Sequence, residues 1–443
     1  MTWGQPPRLK NMETVVACST PFGSSGIAVV RLSGKKSHQI ASSLLEAPIK
    51  TKKHNSPSLC ALVDTDGSVF DEAIINFLFA PNTYTGENLV EINLHGNPVI
   101  IQKTIALCCS FGAEIASGGE FTKRAYINNK LDVSQAESVA SLISSKSILG
   151  VKLSYKNLKG SLLKNIVFVK NKIISTIGQI EFNLDISEED LQPTLVSDSI
   201  LTIEFCTKTL SSAIENFKSV NVLTSGANVV LAGPTNAGKS TLFNVLLKKD
   251  RAIVSDIAGT TRDVLENTIN IEGVPFILKD TAGIRKTRGH IEKIGVKKSN
   301  EEIASADLVL YLGTPGSVLP SENNNVLYIF NKKDIKSGGN DYDISISALK
   351  NENISSLKKL ILKRVSSGFS DINFIITSQR QSSCLEKTIK HLNVAKKSLQ
   401  KSGELELVVE DLNLSLSFLD EITNKTTKDD VLDSIFSSFC VGK

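Results

Sequence analysis

Four short motifs in fixed order, each placed directly behind a short apolar run, restrict this chain more than any other feature of its sequence. Gly233-Pro234-Thr235-Asn236-Ala237-Gly238-Lys239-Ser240 fits the pattern GxxxxGK followed by Ser or Thr. It lies between an expected strand, Asn228–Ala232, and an expected helical run, Thr241–Leu247. Glycines there let successive backbone N–H groups curl around an anion. Lys239 is expected to reach β- and γ-phosphates, and the Ser240 hydroxyl to ligate Mg²⁺. Asp280-Thr281-Ala282-Gly283 ends the strand Phe276–Lys279; its carboxylate suits a Mg²⁺-bound water and its glycine N–H a γ-phosphate. Asn331-Lys332-Lys333-Asp334 ends the strand Val326–Phe330. The Asp334 carboxylate can accept both guanine N1–H and N2–H₂, Asn331 can brace the loop, and the Lys332 stem can cover the base. Ser347-Ala348 follows Asp343–Ile346 and can offer a backbone N–H to guanine O6. The four together imply an α/β domain that binds and hydrolyses GTP.

Two details depart from the Ras-type arrangement. Gly283 is followed by Ile284, so the usual water-orienting Gln is missing. The first switch reads Asp256-Ile257-Ala258-Gly259-Thr260-Thr261-Arg262-Asp263. Thr261 is the natural Mg²⁺ and γ-phosphate ligand. Gly259 and the carbonyls before it can wrap a monovalent cation, with the Asn236 side-chain oxygen completing the cage. Such a cation neutralises charge developing between the β- and γ-phosphates. Glu292 reads either as a solvated helix residue or as a group that positions water from a distance.

The chain has 443 residues, enough for about three domains. Its formal charge of +4 excludes a uniformly basic coat but leaves room for a local basic patch. From Thr14 to Gly119, β-rich runs (Ile27–Leu32, Leu59–Val63, Ala73–Phe79, Leu89–Leu94, Ala113–Ala116) surround one helix, Val99–Cys109. From Leu131 the texture is helical, opened by a capping box of Ser134 and Glu137. The α/β pattern starts near Ala227, and helix returns after about Lys363. This order suggests a helical domain interrupted by an α/β insertion. No run is apolar enough to cross a membrane, and Met1 to Asn11 has no secretory pattern. Those eleven residues are expected to be a disordered extension or a mis-called start. Seven cysteines without a CxxC pair fit a reducing cytoplasm better than a zinc site or a disulfide framework.

The switch sequence, Asn236 and the ending Phe439-Cys440-Val441-Gly442-Lys443 together resemble the MnmE (TrmE) family of tRNA-modification GTPases. So do Thr20-Pro21-Phe22-Gly23, Val30-Arg31-Leu32-Ser33-Gly34, Tyr84-Thr85-Gly86-Glu87 through Glu91, Gly119-Glu120-Phe121-Thr122-Lys123-Arg124-Ala125, and Asn128-Asn129-Lys130-Leu131-Asp132. The resemblance implies a multidomain chain of α+β, all-α and α/β parts. Residues 1–125 would form a folate-binding and dimerising domain, 126–225 and 365–443 a discontinuous helical domain, and 226–364 an inserted Ras-like P-loop GTPase domain.

It further implies a homodimer that joins an FAD-containing MnmG (GidA) partner in a heterotetramer. That assembly would add a carboxymethylaminomethyl-type group to C5 of the wobble uridine of certain tRNAs. The carbon would come from 5-formyl- or methylene-tetrahydrofolate, with GTP hydrolysis stimulated by K⁺. By the same resemblance, Asn236 and the backbone of Ser255, Ile257 and Thr260 would hold K⁺, and Ser240 and Thr261 would hold Mg²⁺. Thr241 and the run from Ser255 to Thr261, Ala258 included, would complete the GTP site. Glu292 would orient water beside Lys239 and Asn236. Arg31, Glu91, Lys130 and Lys443 would contact folate. Cys440 is either a nucleophile or a small packed side chain. Departures from the family are Asn97 after His95-Gly96, Gly118 where Pro is usual, Val441 for Ile, and a short Gly313–Asn325 segment. A GTP-dependent switch or ribosome-assembly GTPase without base chemistry is the competing reading; it leaves Arg31, Glu91, Lys130 and the tail unexplained.

Overall fold

A computed structural model describes residues 13–47, 53–185, 194–250, 267–280, 302–313, 325–335, 341–365, 374–401 and 405–423, and tail residues 432, 435–437, 439 and 441–442. They form two compact units, one drawn from 1–140 and 419–443, the other from 141–255 and 262–418.

The first unit is built on β1 (Val15–Cys18), β2 (Ser25–Ser33), β3 (Ser58–Val63), β4 (Val69–Leu78), β5 (Leu89–Gly96) and β6 (Glu114–Ile115), in the spatial order β3-β4-β5-β2-β1-β6. All pairings are antiparallel except β1 with β6. Side chains alternate across a sheet, so Ala28, Val30 and Leu32 of β2 and Val90, Ile92 and Leu94 of β5 share one face. Helices α1 (Ser37–Ser42) and α2 (Pro98–Ser110) cover that face with Ile40, Ala41, Ile101 and Leu107. Asn97 caps α2, its side chain accepting from the Val99 N–H at 2.8 Å, and Pro98 occupies the first turn, where no N–H is needed. The opposite face carries the intervening residues, Arg31 and Glu91 among them, and the helix α3 (Glu120–Ile127) places Phe121 there beside Val15, Ala17 and Ala116.

Helix α4 (Val133–Ser144) begins one residue before the expected cap. The box is formed by Asp132 and Gln135, not by Ser134 and Glu137. Asp132 Oδ1 accepts from the Gln135 N–H at 2.9 Å, and Gln135 Oε1 accepts from the Asp132 N–H at 2.9 Å. The Ser134 hydroxyl donates to the same Asp132 oxygen at 2.6 Å. Both spacings fit the motif; the one used buries Val133 and Ala136 against Phe436 and Phe439 of the tail.

The second unit holds α5 (Ile148–Leu158), α6 (Ser161–Asp185) and α7 (Leu195–Ser225), with the helix Gln379–Gln400 lying along α7. Asn157 Nδ2 donates to Ile375 O at 3.0 Å and ties α5 to the segment that leads into that last helix. Helix α7 ends at Gly226 and the chain enters a second sheet at once. This sheet contains β7 (Ala227–Ala232), β8 (Asn267–Ile271), β9 (Val274–Asp280), β10 (Leu308–Gly313), β11 (Val326–Phe330) and β12 (Ile344–Ser345), in the order β12-β11-β10-β7-β9-β8. Every pairing is parallel except β8 with β9. Parallel strands covered on both faces read as continuous apolar runs, which is why Val229–Ala232 and Leu308–Leu312 were legible as strands. Helix α8 (Lys239–Asp250) contributes Leu242 and Leu246 to this core, and the helix Ile354–Val365 contributes Ile354, Leu357 and Ile361. An α/β segment set between helical segments is the architecture that the sequence pattern implies. Among the described residues, no helix is long and apolar enough to cross a membrane.

The corrected cap is directly testable. Asp132→Ala should cost about 1 kcal/mol of stability, read from urea unfolding followed by circular dichroism.

Candidate functional site

The P-loop, the Asn331–Asp334 loop, Ser347-Ala348 and Asp280 of the remaining motif follow or end parallel strands at their carboxyl ends, where open α/β sheets bind ligands. The P-loop leaves β7 and closes into the N-terminus of α8, with Leu242 N–H donating to Gly238 O at 2.9 Å. Asn236 sits at φ 63° and Gly238 at φ 92°. These left-handed positions turn the loop tightly, and the Ala237 N–H between them donates to Pro234 O at 3.4 Å. The Lys239 ammonium folds back over its own loop, donating to Gly233 O at 2.8 Å and Pro234 O at 2.7 Å. Ser240 and Thr241 follow in the first turn of α8. Asp280 ends β9 in register with Leu231, two residues ahead of Gly233.

Asn331 joins the loops. It is buried, and its Nδ2 donates to Ala237 O of the P-loop at 2.8 Å. Its Oδ1 accepts from the Ala348 N–H at 3.1 Å, and its own N–H donates to Gly313 O at 3.1 Å. A Cβ at Gly238 would lie 2.3 Å from Asn331 Nδ2, so this approach excludes any side chain at Gly238. The bracing expected of Asn331 is therefore made of three hydrogen bonds to three different segments. Lys332 turns the chain at φ 66°, and Asp334 follows it. The Ser347 hydroxyl donates to Asp334 Oδ1 at 2.7 Å. That bond, with smaller help from Lys350 and Lys332, lowers the Asp334 pKa below the ordinary carboxylate value. The carboxylate thus stays charged as pH falls into the acidic range. This use of the Ser347 hydroxyl goes beyond its sequence reading, which gave it only a backbone role. The Ser347 N–H is taken up by Glu352 O at 3.3 Å.

A second cluster lies on the face of the first sheet opposite α1 and α2, partly covered by α3. Arg31 and Glu91 are register partners on β2 and β5. Arg31 donates from Nε at 3.1 Å and from Nη2 at 2.7 Å, both to Glu91 Oε1. The guanidinium carbon is 5.7 Å from the centre of the Phe121 ring. Tyr84 closes one side, its hydroxyl bonded to Thr122 Oγ1 at 2.9 Å; burial raises its pKa, while Thr122 and the Arg31 charge pull it down. Lys130 Nζ donates to Pro81 O at 3.0 Å, on the loop that carries Tyr84.

Beneath this cluster the motif residues 84–87 and 119–125 make a buried network. Arg124 bonds Glu87 and Glu120, each at 3.0 Å, and the Ser33 hydroxyl donates to Glu87 at 2.8 Å. These motif positions hold the floor of the site, a role their sequence did not reveal. The tail arrives on the same unit. Val441 bridges Gly118, and the Ser19 hydroxyl donates to Gly442 O at 2.9 Å. Gly119, at φ 68°, lets Phe436 O come within 2.7 Å of where a Cβ would stand, so glycine is required there.

Ser255, Asp256, Ile257, Ala258, Gly259, Thr260, Thr261, Thr281, Ala282, Gly283, Glu292, Cys440 and Lys443 lie outside the described residues, as does the Asp280 side chain.

The strand order, the P-loop and the Asn331–Asp334 loop define a Ras-like P-loop domain set into a helical one, behind an N-terminal α+β unit. Residues 14–130 match the N-terminus of the GTP-binding protein TrmE, and residues 133–440 match the MnmE helical domain. The tRNA modification GTPase MnmE of Aquifex aeolicus is 37% identical over 97% of this chain and 100% of its own length. Its counterpart from Thermotoga petrophila is 36% identical over 98% of this chain and 100% of its own length. That of Lactococcus lactis subsp. lactis is 35% identical over 98% and 99%. The chain belongs to the MnmE family of tRNA modification GTPases.

Asn331→Ala would leave Ala237 O and the Ala348 N–H without their partner. Loss of about 2 kcal/mol of stability is expected, together with a GDP affinity at least tenfold lower, measured with a fluorescent guanine nucleotide.

Proposed function

We propose that this protein hydrolyses GTP to drive, with an FAD-containing MnmG-type partner, the addition of a carboxymethylaminomethyl-type group to C5 of a tRNA wobble uridine. The observation that carries this reading is the Arg31–Glu91 pair on the face of the first sheet opposite α1 and α2. A pure GTP switch has no use for it. The donor set fits a reduced folate: only Oε1 of Glu91 is engaged by Arg31, which leaves Oε2 to accept a pterin N–H. Because the two side chains are paired at 2.7 Å, they face the same end of such a ligand. The carboxylates at its other end then fall to Lys130 or to Lys443. A bound folate derivative would supply the one-carbon unit. Residues 1–125, 126–225 with 365–443, and 226–364 act in this reading as folate, helical and GTPase domains of a homodimer.

On the nucleotide side, Asp334 is assigned to guanine N1–H and N2–H₂, and Ser347-Ala348 to O6; their N–H groups are bonded to Glu352 O and Asn331 Oδ1, so O6 would share one of them. Lys239 leaves its two carbonyls for the phosphates, and Ser240 with Thr261 holds Mg²⁺. Asn236, with the backbone of Ser255, Ile257 and Thr260, supplies a K⁺ cage in place of an arginine finger, and Glu292 orients water. Cys440 keeps its two readings, a nucleophile toward the one-carbon donor or a small packed side chain.

Asp334→Asn removes one acceptor and introduces a donor. Guanine-nucleotide affinity should fall about 100-fold, with a gain for xanthine nucleotides, whose C2 oxygen accepts from the new amide. Mass spectrometry of tRNA tests the whole reading. Cells lacking the protein should carry wobble uridines without the C5 group, and the wild-type chain should restore it. Full modification in its absence would leave only the GTP switch.

A further inference from the structure

The charge of this chain is not evenly spread. Between Glu137 and Glu181 there is no acidic residue, yet Lys146, Lys152, Lys156, Lys159, Lys164, Lys170 and Lys172 all fall there. That stretch carries +7 of a total of +4, so the remainder of the chain is at −3. It forms α5 and most of α6, and Lys152, Lys156, Lys159 and Lys164 are exposed. None of these four forms an ion pair with a carboxylate among the described residues.

Aromatic rings are exposed among these lysines. Phe168 of α6 and Phe205 of α7 are 52% and 46% exposed, and their rings meet edge to face at 6.2 Å. The Lys172 ammonium lies 5.4 Å from one ring centre and 5.1 Å from the other. On α5, Lys159 covers the exposed Tyr155 ring at 5.3 Å. Lys164 stands one turn before Phe168, and Lys208 one turn beyond Phe205; both are exposed. Exposed phenyl rings are costly on a soluble surface unless something covers them. A second copy of the same face would set lysine against lysine. RNA supplies both complements at once: phosphates for the ammonium groups and flat, unstacked bases for the rings. The lysine between the two rings also holds them in place beforehand, which lowers the ordering cost of binding.

We propose that the α6–α7 face centred on Phe168, Lys172 and Phe205, flanked by Lys164 and Lys208, docks a single-stranded or looped segment of the tRNA substrate. This rests on the tRNA reading above. It assigns the RNA contact to the helical layer, apart from the guanine site and from the Arg31–Glu91 face.

The test uses the full chain and a fluorescein-labelled, unmodified tRNA transcript with uridine at the first anticodon position, titrated by anisotropy across a salt series. Lys164→Glu, Lys172→Glu and Lys208→Glu combined should weaken binding at least 30-fold and reduce the slope of log affinity against log salt by about 2 to 3. Phe168→Ala with Phe205→Ala should weaken it about tenfold and leave the slope unchanged. Both variants should keep wild-type GTP turnover, which shows that they fold. If the wild type binds and both variants bind equally well, the docking face is overturned and the tRNA reading stands. If the wild type neither binds tRNA nor restores wobble modification in cells, that reading falls and takes the face with it. If RNA affinity is kept but sedimentation shows altered self-association, the face is a protein interface and the proposal is wrong.

Discussion

One buried amide organises the nucleotide site. Asn331 bonds the P-loop at Ala237 O, the base loop at the Ala348 N–H, and the end of β10 at Gly313 O. The side chain joins the P-loop to the base loop, and the backbone N–H of the same residue ties both to the end of β10. A buried, fully satisfied polar group rigidifies what it touches. The close approach of Gly238 and the position of Asp334 both follow from it. The P-loop and the loop of Asp334 are therefore coupled through one residue.

The first sheet solves a different problem with simpler means. Alternation along β2 and β5 sends every second residue into the helix-covered core and leaves Arg31 and Glu91 on the opposite face. The pair needs no loop to position it; the pleat and the register do so. The Arg124–Glu87–Glu120 network then fixes α3, and with it Phe121, beneath the guanidinium.

Strands buried on both faces were legible because continuous apolar runs bounded by turn residues have few other uses. The guanine motifs were legible because each position is tied to one chemical task. The cap of α4 was misread because Asp132-x-x-Gln135 and Ser134-x-x-Glu137 satisfy the same spacing, and only burial of Val133 and Ala136 decides between them. The Arg124–Glu87 arm of the network was invisible for a related reason: an ion pair between residues 37 positions apart leaves no local period, although Glu120 and Arg124 sit at the ordinary i,i+4 spacing of a helix. The Ser347 hydroxyl was missed because a motif read for its backbone conceals what its side chain does. The lysine run of α5 and α6 was open to view, but a whole-chain charge near zero conceals local asymmetry.

The tail has a consequence for how the molecule is made. Residues near 18–19 and 118–119 are completed by residues 436–442, so the first sheet is closed by a segment 423 positions away in sequence where Ser19 meets Gly442. The α/β segment between them can fold while the chain is still growing, whereas the contacts of Ser19, Gly118 and Gly119 with the tail form only once residues 436–442 are made. Removal of residues 436–442 would take away that clasp and leave the sequence of the P-loop segment intact.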